Sequence, residues 1–191
     1  MLIRKLDPTE APLVARFYRE APDYWLLAEG RCDPDRQAAE FFTDGPPGSD
    51  LSLTHHLGLF LSPEDLHSDS GRMGTSPPPR GEGRGVGGTG EDTLRLSGVA
   101  ELSYGFPEPT DAYLGLMMLG PWAQGAGHGK AFLAEAERLA RTRNAPRLYL
   151  AVLEANPRAR AFWEREGFAP TGLSGSNADT GHRLHRLVKA L

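Results

Sequence analysis

The sequence predicts an α/β fold, and three observations lead to that prediction. Short apolar runs typical of strands recur along the chain, and runs with helical spacing lie between them. Residues 112–153 read as strand, glycine-rich turn, amphipathic helix and strand, which is typical of a crossover between parallel strands. With 191 residues, of which 39% are hydrophobic, the chain has the size of one domain. We therefore expect a single domain over residues 1–191.

Charge and cysteine content narrow the functional classes. The 21 basic and 25 acidic residues give a net charge of −4, which predicts no basic surface for nucleic acid or an anionic membrane. The sequence has no run of about 18 apolar residues and no leader-like start, so a cytoplasmic location is expected. Cys32 is the single cysteine, which excludes an internal disulfide and a cysteine-based zinc site. We expect no bound metal.

The N-terminal part of the chain predicts a strand followed by helices. Residues 2–6 alternate as a strand does, and Asp7 followed by Pro8 marks the start of a helix. Residues 23–42 predict a short helical stretch and a second helix that begins after Asp33 and Pro34.

Two further apolar segments, 56–62 and 94–106, are expected to pair as antiparallel strands. Between them, residues 67–93 are rich in glycine and proline and offer only Met73 and Val86 as large apolar side chains. Such a segment cannot offset its ordering entropy by burial. We expect a flexible hairpin insertion there, because strand-like sequence resumes on both sides.

The central crossover begins with residues 112–119, whose almost wholly apolar sequence predicts a strand covered on both faces. A glycine-rich turn follows, and residues 147–153 predict the next strand. The helix between them has an apolar face formed by Phe132, Leu133, Ala136, Leu139 and Ala140. The turn is thus expected at the carboxyl end of a strand, where α/β folds bind ligands.

The C-terminal part predicts a last helix and a closing strand. Asn156 is a candidate N-cap, Pro157 stands at the first helical position, and Gly167 stands where a glycine favours helix termination. Residues 182–191 are expected to form the closing strand.

The turn sequence "QGAGHGK", residues 124–130, indicates an anion site. Alternating glycines let backbone N–H groups point into one concavity, and the positive end of the following helix dipole favours phosphate. Two common phosphate motifs do not fit. A Walker A loop would require glycine at Gln124 and Ser or Thr at Ala131, and the glycine spacing does not match GxGxxG.

The pattern that does fit is Q-x-x-G-x-G at residues 124–129, which resembles the acyl-CoA pyrophosphate loop of the GNAT superfamily of N-acetyltransferases. The later "NPRARAFWEREGF" matches the family order N-x-x-A-x-x-aromatic-aromatic-x-x-x-G-F. The resemblance is clear over about residues 94–170 and weaker over the first 60. It implies a mixed, mostly antiparallel twisted sheet of 6–7 strands with about four helices, and strands splayed around the cofactor site.

The resemblance also implies which residues bind acetyl-CoA. The implied cofactor-binding residues are Met117, Met118, Leu119, Gln124, Gly125, Ala126, Gly127, His128, Gly129, Lys130, Asn156, Phe162 and Trp163. The first three would offer their backbones to the pantetheine arm, and the amides from Gln124 to Lys130 would bind the pyrophosphate. Other roles stay open: core packing for the methionines and aromatics, solvation for His128 and Lys130, and helix capping for Asn156.

Two residues are candidate catalytic groups, Glu101 and Tyr113. Glu101 is a carboxylate within an otherwise apolar strand, where burial would raise its pKa toward that of a useful base. Solvent exposure, or binding of the substrate cation without proton transfer, stays open for it. Tyr113 stands where some family members carry a catalytic carboxylate, and Asp111 is a reserve candidate. Trp163 replaces a tyrosine that in many members protonates the leaving thiolate, which an indole N–H cannot do.

The resemblance predicts an acyl-CoA-dependent N-acyltransferase that moves an acetyl group from acetyl-CoA to a primary amine of a small molecule or peptide. The expected partners are acetyl-CoA and that amine, without nucleic acid or membrane, and self-association into a homodimer stays open. The competing interpretation is a non-catalytic CoA-binding regulatory module. A nucleotide-phosphate site unrelated to CoA is disfavoured because no Ser or Thr follows Lys130 to bind magnesium.

Overall fold

The computed structural model describes residues 1–67, 94–176 and 180–191, and a seven-stranded sheet organises them. Its strands are β1 Leu2–Lys5, β2 His55–Leu61, β3 Arg95–Tyr104, β4 Ala112–Leu119, β5 Arg147–Leu153, β6 Ala169–Ser176 and β7 Arg183–Ala190. They lie in the order β1-β2-β3-β4-β5-β7-β6. Within this sheet only β4 and β5 pair in parallel, so the expected mixed, mostly antiparallel sheet is confirmed.

Helices cover both faces of the sheet. In the described residues they are α1 Ala11–Glu20, α2 Asp23–Glu29, α3 Pro34–Thr43, α4 Pro63–His67, α5 His128–Thr142 and α6 Pro157–Arg165. This is more than the four or so that the sequence predicts. The short α4 was not predicted, because five residues show no periodicity; its signal is the local pair Ser62 and Asp65, whose side chains bond each other's backbone N–H groups.

Alternation along β3 separates two hydrophobic layers. Ala100 and Leu102 face the layer that contains α5 and α6, together with Phe132 and Trp163. Val99 lies in the opposite layer, against α1 and α3. Glu101 has the same parity as Val99, so it lies on the face of the α1 layer.

The predicted helix ends form, with one difference at the N-terminus. Gly167 takes the positive φ of +94° that ends α6. The second helix begins at Pro34, earlier than expected, and Asp33, which was not predicted as a cap, accepts a hydrogen bond from the N–H of Arg36 at 3.4 Å. The helix expected from Asp7 begins instead as a 3-10 turn, Pro8–Glu10, because Asp7 caps the N–H of Thr9 and Glu10 bonds back to Asp7.

One strand was not predicted, and the predicted insertion lies almost wholly outside the residues that the structure describes. The strand β6 was not predicted, because "APTGLSGS" is rich in residues that disfavour strands; its pairing with β7 is irregular between Pro170 and Ser174. The insertion expected over 67–93 lies outside the described residues except for His67, which ends α4. Among the described helices, none is long and apolar enough to cross a membrane.

Candidate active site

The parallel strands β4 and β5 separate after a short pairing. Residues 112–114 pair with residues 148–150, and no pairing joins the two strands beyond that point. Residues 116–119 still pair with β3 on the other side. This part of β4 therefore presents a backbone edge without a partner strand, which is the kind of edge that can receive an extended ligand. The expected splay is present.

Met117, Met118 and Leu119 form that open edge. The Met118 side chain is buried in the α1 layer, and Met117 and Leu119 pack at the margin of the opposite layer. Their side chains therefore fill the core, as the sequence left open, while their backbones line the gap between the strands.

The glycine-rich turn follows directly on β4 and starts with a 3-10 turn, Pro121–Ala123. Gly125 and Gly127 have φ values of +91° and +82°, which disfavour any side chain. A Cβ atom built on either residue would meet no heavy atom within 4 Å, so both positions border open space. The turn is both conformationally restricted to glycine and accessible to a ligand.

The N-terminus of α5 lacks a side-chain cap. Gly127 is its N-cap and accepts the N–H of Ala131 at 3.2 Å, but no side chain of residues 1–67, 94–176 or 180–191 bonds the first-turn N–H groups. These groups have no acceptor within a helix. With the helix dipole they form an anion site, and the exposed Lys130 adds a positive charge beside it. His128 opens the same turn and is half-buried.

Gln124 closes the turn internally. Its Nε2 donates to the carbonyl of Leu119 at 3.1 Å, and its backbone N–H donates to the carbonyl of Pro121 at 3.3 Å. Residues 125–127, including Ala126, are exposed. Gln124 thus holds the turn against the end of β4, and the amides after it are the ones near solvent.

Helix α6 places its aromatic pair on different sides. Phe162 lies beside the turn, because a Cβ atom built on Gly129 would be 3.4 Å from its ring. Trp163 is only 8% exposed and packs in the core against the ring of Phe168 at 5.4 Å. Asn156 acts as the N-cap, since its Oδ1 accepts the N–H of Ala159 at 3.0 Å.

Glu101 lies on β3, where its Cα partner on β4 is Leu116, and is buried, with 8% of its surface exposed. A Cβ atom built on Gly115 would lie 2.7 Å from Glu101 Oε1 and 3.2 Å from Oε2, so only glycine leaves room for the carboxylate. The pairing of β3 with β4 shifts at this point, between Glu101 and Leu102. Gly115 is also the first residue of β4 beyond its pairing with β5.

The Glu101 carboxylate has one hydrogen-bond donor and no cation partner among the described residues. Ser103 Oγ donates to Oε1 at 3.1 Å, and the Thr54 hydroxyl, 3.1 Å from Ser103 Oγ, donates to Ser103 in turn. Burial raises the pKa of Glu101 to about 7, the Ser103 hydrogen bond opposes this, and the charge of Asp44 adds to it. The carboxyl therefore exchanges a proton near neutral pH.

Other titratable groups face Glu101 from the surrounding elements. Tyr18 of α1 and Tyr113 of β4 both interact electrostatically with it, and burial raises the pKa of each phenol above its usual value. His56 is the Cα partner of Glu101 on β2, and burial lowers the pKa of its imidazole. These neighbours are thus neutral near pH 7, and none compensates the carboxylate charge.

A cavity of about 300 Å³ opens at this carboxylate. Its walls include Tyr113, Phe106 and Arg186, and residues 44–47 close it from the end of α3. It meets the splayed strands at Gly115. The cavity joins the two nominated catalytic residues, Glu101 and Tyr113, at one site.

Asp111, the reserve candidate, does not reach this cavity. Its side chain is fully buried and forms two hydrogen bonds with Arg147, from Nε at 2.9 Å and from the terminal nitrogen at 3.0 Å. It lies instead beside a second cavity lined by Tyr104 and Arg143. Asp111 therefore serves the structure rather than the site.

Sequence reasoning did not nominate Arg186, Asp44, Phe106 or Ser103. Arg186 and Arg183 stand in the same C-terminal strand, and only the register of β7 with β5 distinguishes them. Ser103 follows Glu101 by two residues, so strand alternation could have placed both on one face.

A family model for the GNAT acetyltransferases matches residues 75–168 of the chain. The chain belongs to the GNAT family. Members of this family are acetyltransferases that use acetyl-CoA, so the predicted resemblance is confirmed. Among curated proteins, no sequence matches the chain significantly.

Solved structures agree with the GNAT fold. An acetyltransferase from Thermus thermophilus is 23% identical, with 100% of this chain and 98% of that chain covered and a TM-score of 0.63. The PaiA N-acetyltransferase from Thermoplasma acidophilum, solved in complex with coenzyme A, is 16% identical, with 100% and 98% covered and a TM-score of 0.61. At these identities the likeness shows the shared fold.

Proposed function

We propose that this chain, as a single acetyltransferase domain over residues 1–191, transfers an acetyl group from acetyl-CoA to a primary amine. One observation carries the proposal: the unpaired carboxylate of Glu101 lies against Gly115, where β4 leaves β5. A proton acceptor and an open strand edge thus meet at one point. An amine in the cavity would have the base on one side and the strand edge on the other.

The geometry fits acetyl-CoA as the second substrate, which supplies the acetyl group as a thioester. The uncapped first turn of α5 and the open glycines Gly125 and Gly127 suit a pyrophosphate. The backbone edge of residues 117–119 suits an extended pantetheine arm. Phe162 walls the same side of the turn.

In the proposed reaction, the Glu101 carboxylate accepts a proton from the acceptor amine. The neutral nitrogen forms a bond to the thioester carbonyl carbon and releases its second proton to water, the carbon–sulfur bond breaks, and the sulfur leaves as a thiolate. The backbone N–H near Met118 donates a hydrogen bond to the carbonyl oxygen as its negative charge develops. Tyr113 keeps its proton near pH 7, so it acts as a cavity wall and hydrogen-bond donor rather than as the base.

The leaving group needs no acid from Trp163. A thiol with an ordinary pKa of about 8.5 leaves readily as the thiolate at neutral pH, and water can protonate it. Trp163 is packed in the core, which fits a structural role. The missing acid is the observation that favours a non-catalytic CoA-binding module, and the carboxyl of Glu101, with a pKa near 7, counts against that alternative.

Thiol release with acetyl-CoA and a panel of primary amines tests the proposal. We expect amine-dependent release of free thiol and an upward thermal shift with millimolar acetyl-CoA, because a ligand that binds only the native state stabilises it. A thermal shift without thiol release from any amine would identify a CoA-binding module. The absence of both a thermal shift and thiol release would contradict the proposed function.

The turn itself is tested by Gly127→Val with Gly30→Val as the matched control. Both glycines have positive φ, +82° and +71°, and both border open space, but Gly30 ends α2 away from the turn. We expect Gly127→Val to abolish the thermal shift with acetyl-CoA, because the side chain obstructs the approach of the phosphates. Gly30→Val should keep the shift, and a folded Gly127→Val protein that keeps it would place the cofactor elsewhere.

A further inference from the structure

The cavity beside Glu101 contains a guanidinium group that the proposed reaction does not use. Arg186 lies half-buried on β7, and its guanidinium carbon is 5.1 Å from the centre of the Phe106 ring. Among the described residues it has no ion-pair partner, whereas Arg147 and Arg141 each contact a buried carboxylate. The cavity wall thus contains a cation that no carboxylate of the described residues pairs with.

The register of the sheet aims Arg186 at the acceptor side. Its strand partner is Ala151 on β5, and the next residue, Leu187, is fully buried in the opposite layer with α5 and α6. Arg186 therefore shares a face with Glu101, and both line the same cavity. The ring of Phe106 holds the guanidinium plane from one side by a cation–π contact.

The cavity is lined by charged side chains of both signs. Glu101 and Asp44 are acidic, and Arg186 supplies a positive charge to the same lining. A planar guanidinium binds a carboxylate through two parallel N–H donors, which gives orientation as well as affinity. An acceptor with two amines would bring a second cation toward Arg186, and like charges in a cavity repel.

We propose that the acceptor is a small amino carboxylate, whose amine faces Glu101 and whose carboxylate is bound by Arg186. This inference rests on the proposed acetyl transfer. A cavity of about 300 Å³ lies at the small end of ligand sites, which fits a single amino acid. The rings of Phe106 and Tyr113, which lie 5.1 Å apart, offer an apolar wall for its side chain. Arg186 is a specificity-determining residue in this arrangement.

The reaction balances without a further reactant. The ammonium group loses one proton to Glu101, the neutral nitrogen gains the acetyl group and releases its second proton to water, and the carbon–sulfur bond breaks to release the thiolate. The acceptor's carboxylate takes no part in the bond changes. It stays paired with Arg186 and fixes the distance between the nitrogen and Glu101.

The test uses amino acids each paired with its decarboxylated amine, such as phenylalanine with 2-phenylethylamine and leucine with isoamylamine. We expect wild-type kcat/KM to favour the amino acid in at least one pair by about tenfold or more, because a charge-assisted bidentate contact distinguishes the two. Arg186→Gln should bring that ratio close to one while leaving the KM for acetyl-CoA unchanged. Arg186→Lys, which keeps the charge but not the planar fork, should give an intermediate ratio.

Arg183→Gln is the matched control. Arg183 lies on the same strand, is exposed and approaches Glu154 at 4.0 Å, so its removal should leave the ratio as in the wild type. An unchanged ratio in folded Arg186→Gln, or a raised KM for acetyl-CoA alone, overturns the inference. Thiol release with other amines but with no amino carboxylate overturns it and leaves the proposed function standing. If no amine gives thiol release, both the inference about the acceptor and the proposed acetyl transfer are wrong.

Discussion

Glu101 on β3 and Asp111 at the start of β4 are both buried carboxylates, but their surroundings differ in one respect. Asp111 is fully buried, and Arg147 binds both of its oxygens at 2.9 and 3.0 Å. Glu101 is 8% exposed and, in the part of the chain that the structure describes, receives a hydrogen bond only from the Ser103 hydroxyl, at 3.1 Å. The charge of Asp111 is thus compensated by an ion pair within the protein, whereas the charge of Glu101 is available to a ligand.

The third buried carboxylate of the described residues follows the pattern of Asp111. Glu137 pairs with Lys189 and with Arg141. A carboxylate that the fold alone required would be expected to carry such a partner, because burying a charge without one is costly. The difference indicates that Glu101 is kept for the chemistry of the cavity and that Asp111 is kept for the fold.

The largest effect is expected from breaking the internal pair. Arg147→Met leaves the Asp111 carboxylate buried without a cation, and the free energy of unfolding should fall clearly more than in the control variant below, because a buried charge without a partner is costly. Urea denaturation at pH 7 measures this. The control is Arg141→Met, which leaves Glu137 its Lys189 partner and should cost under about 1 kcal/mol. Equal losses in the two variants would show that Asp111 is not the structural carboxylate.

The next largest effect is expected at Glu101, where removing the charge should stabilise the protein rather than destabilise it. Its pKa is raised from the usual 4.5 to about 7, so between these values the folded protein binds the proton more strongly than the unfolded chain. The wild type should therefore lose stability as the pH rises from 5 to 8. Glu101→Gln removes this loss, and it should gain roughly 2 kcal/mol over the wild type between those two pH values.

Denaturation curves at both pH values measure that gain. If the two proteins show the same dependence on pH, Glu101 is not the uncompensated charge that its surroundings indicate.

The smallest effect concerns the hydrogen bond from Ser103 to Glu101. Ser103 stabilises the ionised carboxylate, so Ser103→Ala should raise the pKa of Glu101 further and move the rise of the rate to higher pH. Ser97→Ala is the control, because Ser97 is equally buried on the same strand but bonds Arg95 and Trp122. A shift in both variants, or in neither, would exclude a specific role for Ser103.

Much of the fold was predictable because it rests on local signals. The glycine turn, the cap at Asn156 and the apolar run of β4 are each encoded within a few residues. The strand β6 was not, because its residues disfavour a strand and its place depends on pairing with β7.

The site was predictable only in part, because some of its contacts join residues that are far apart in the sequence. Glu101 was identifiable as a polar residue in an apolar strand, and the structure brings it to a cavity. Its distinction from Asp111 depends on Arg147, which is 36 residues away along the chain from Asp111. Arg186 reaches the cavity only through the register of β7, which no local pattern reveals.

The pH dependence of the rate, compared between wild type and Glu101→Gln, tests the central claim most directly. At a saturating concentration of a confirmed acceptor, the wild-type kcat/KM for acetyl-CoA should rise with an apparent pKa near 7, as the Glu101 carboxyl ionises. Glu101→Gln should lower turnover about 100-fold near pH 7, lose that ionisation and recover partly at high pH, where free amine is abundant. Acetyl-CoA binding should be unchanged. Wild-type turnover and an unaltered profile in Glu101→Gln would contradict the assignment of Glu101 as the base.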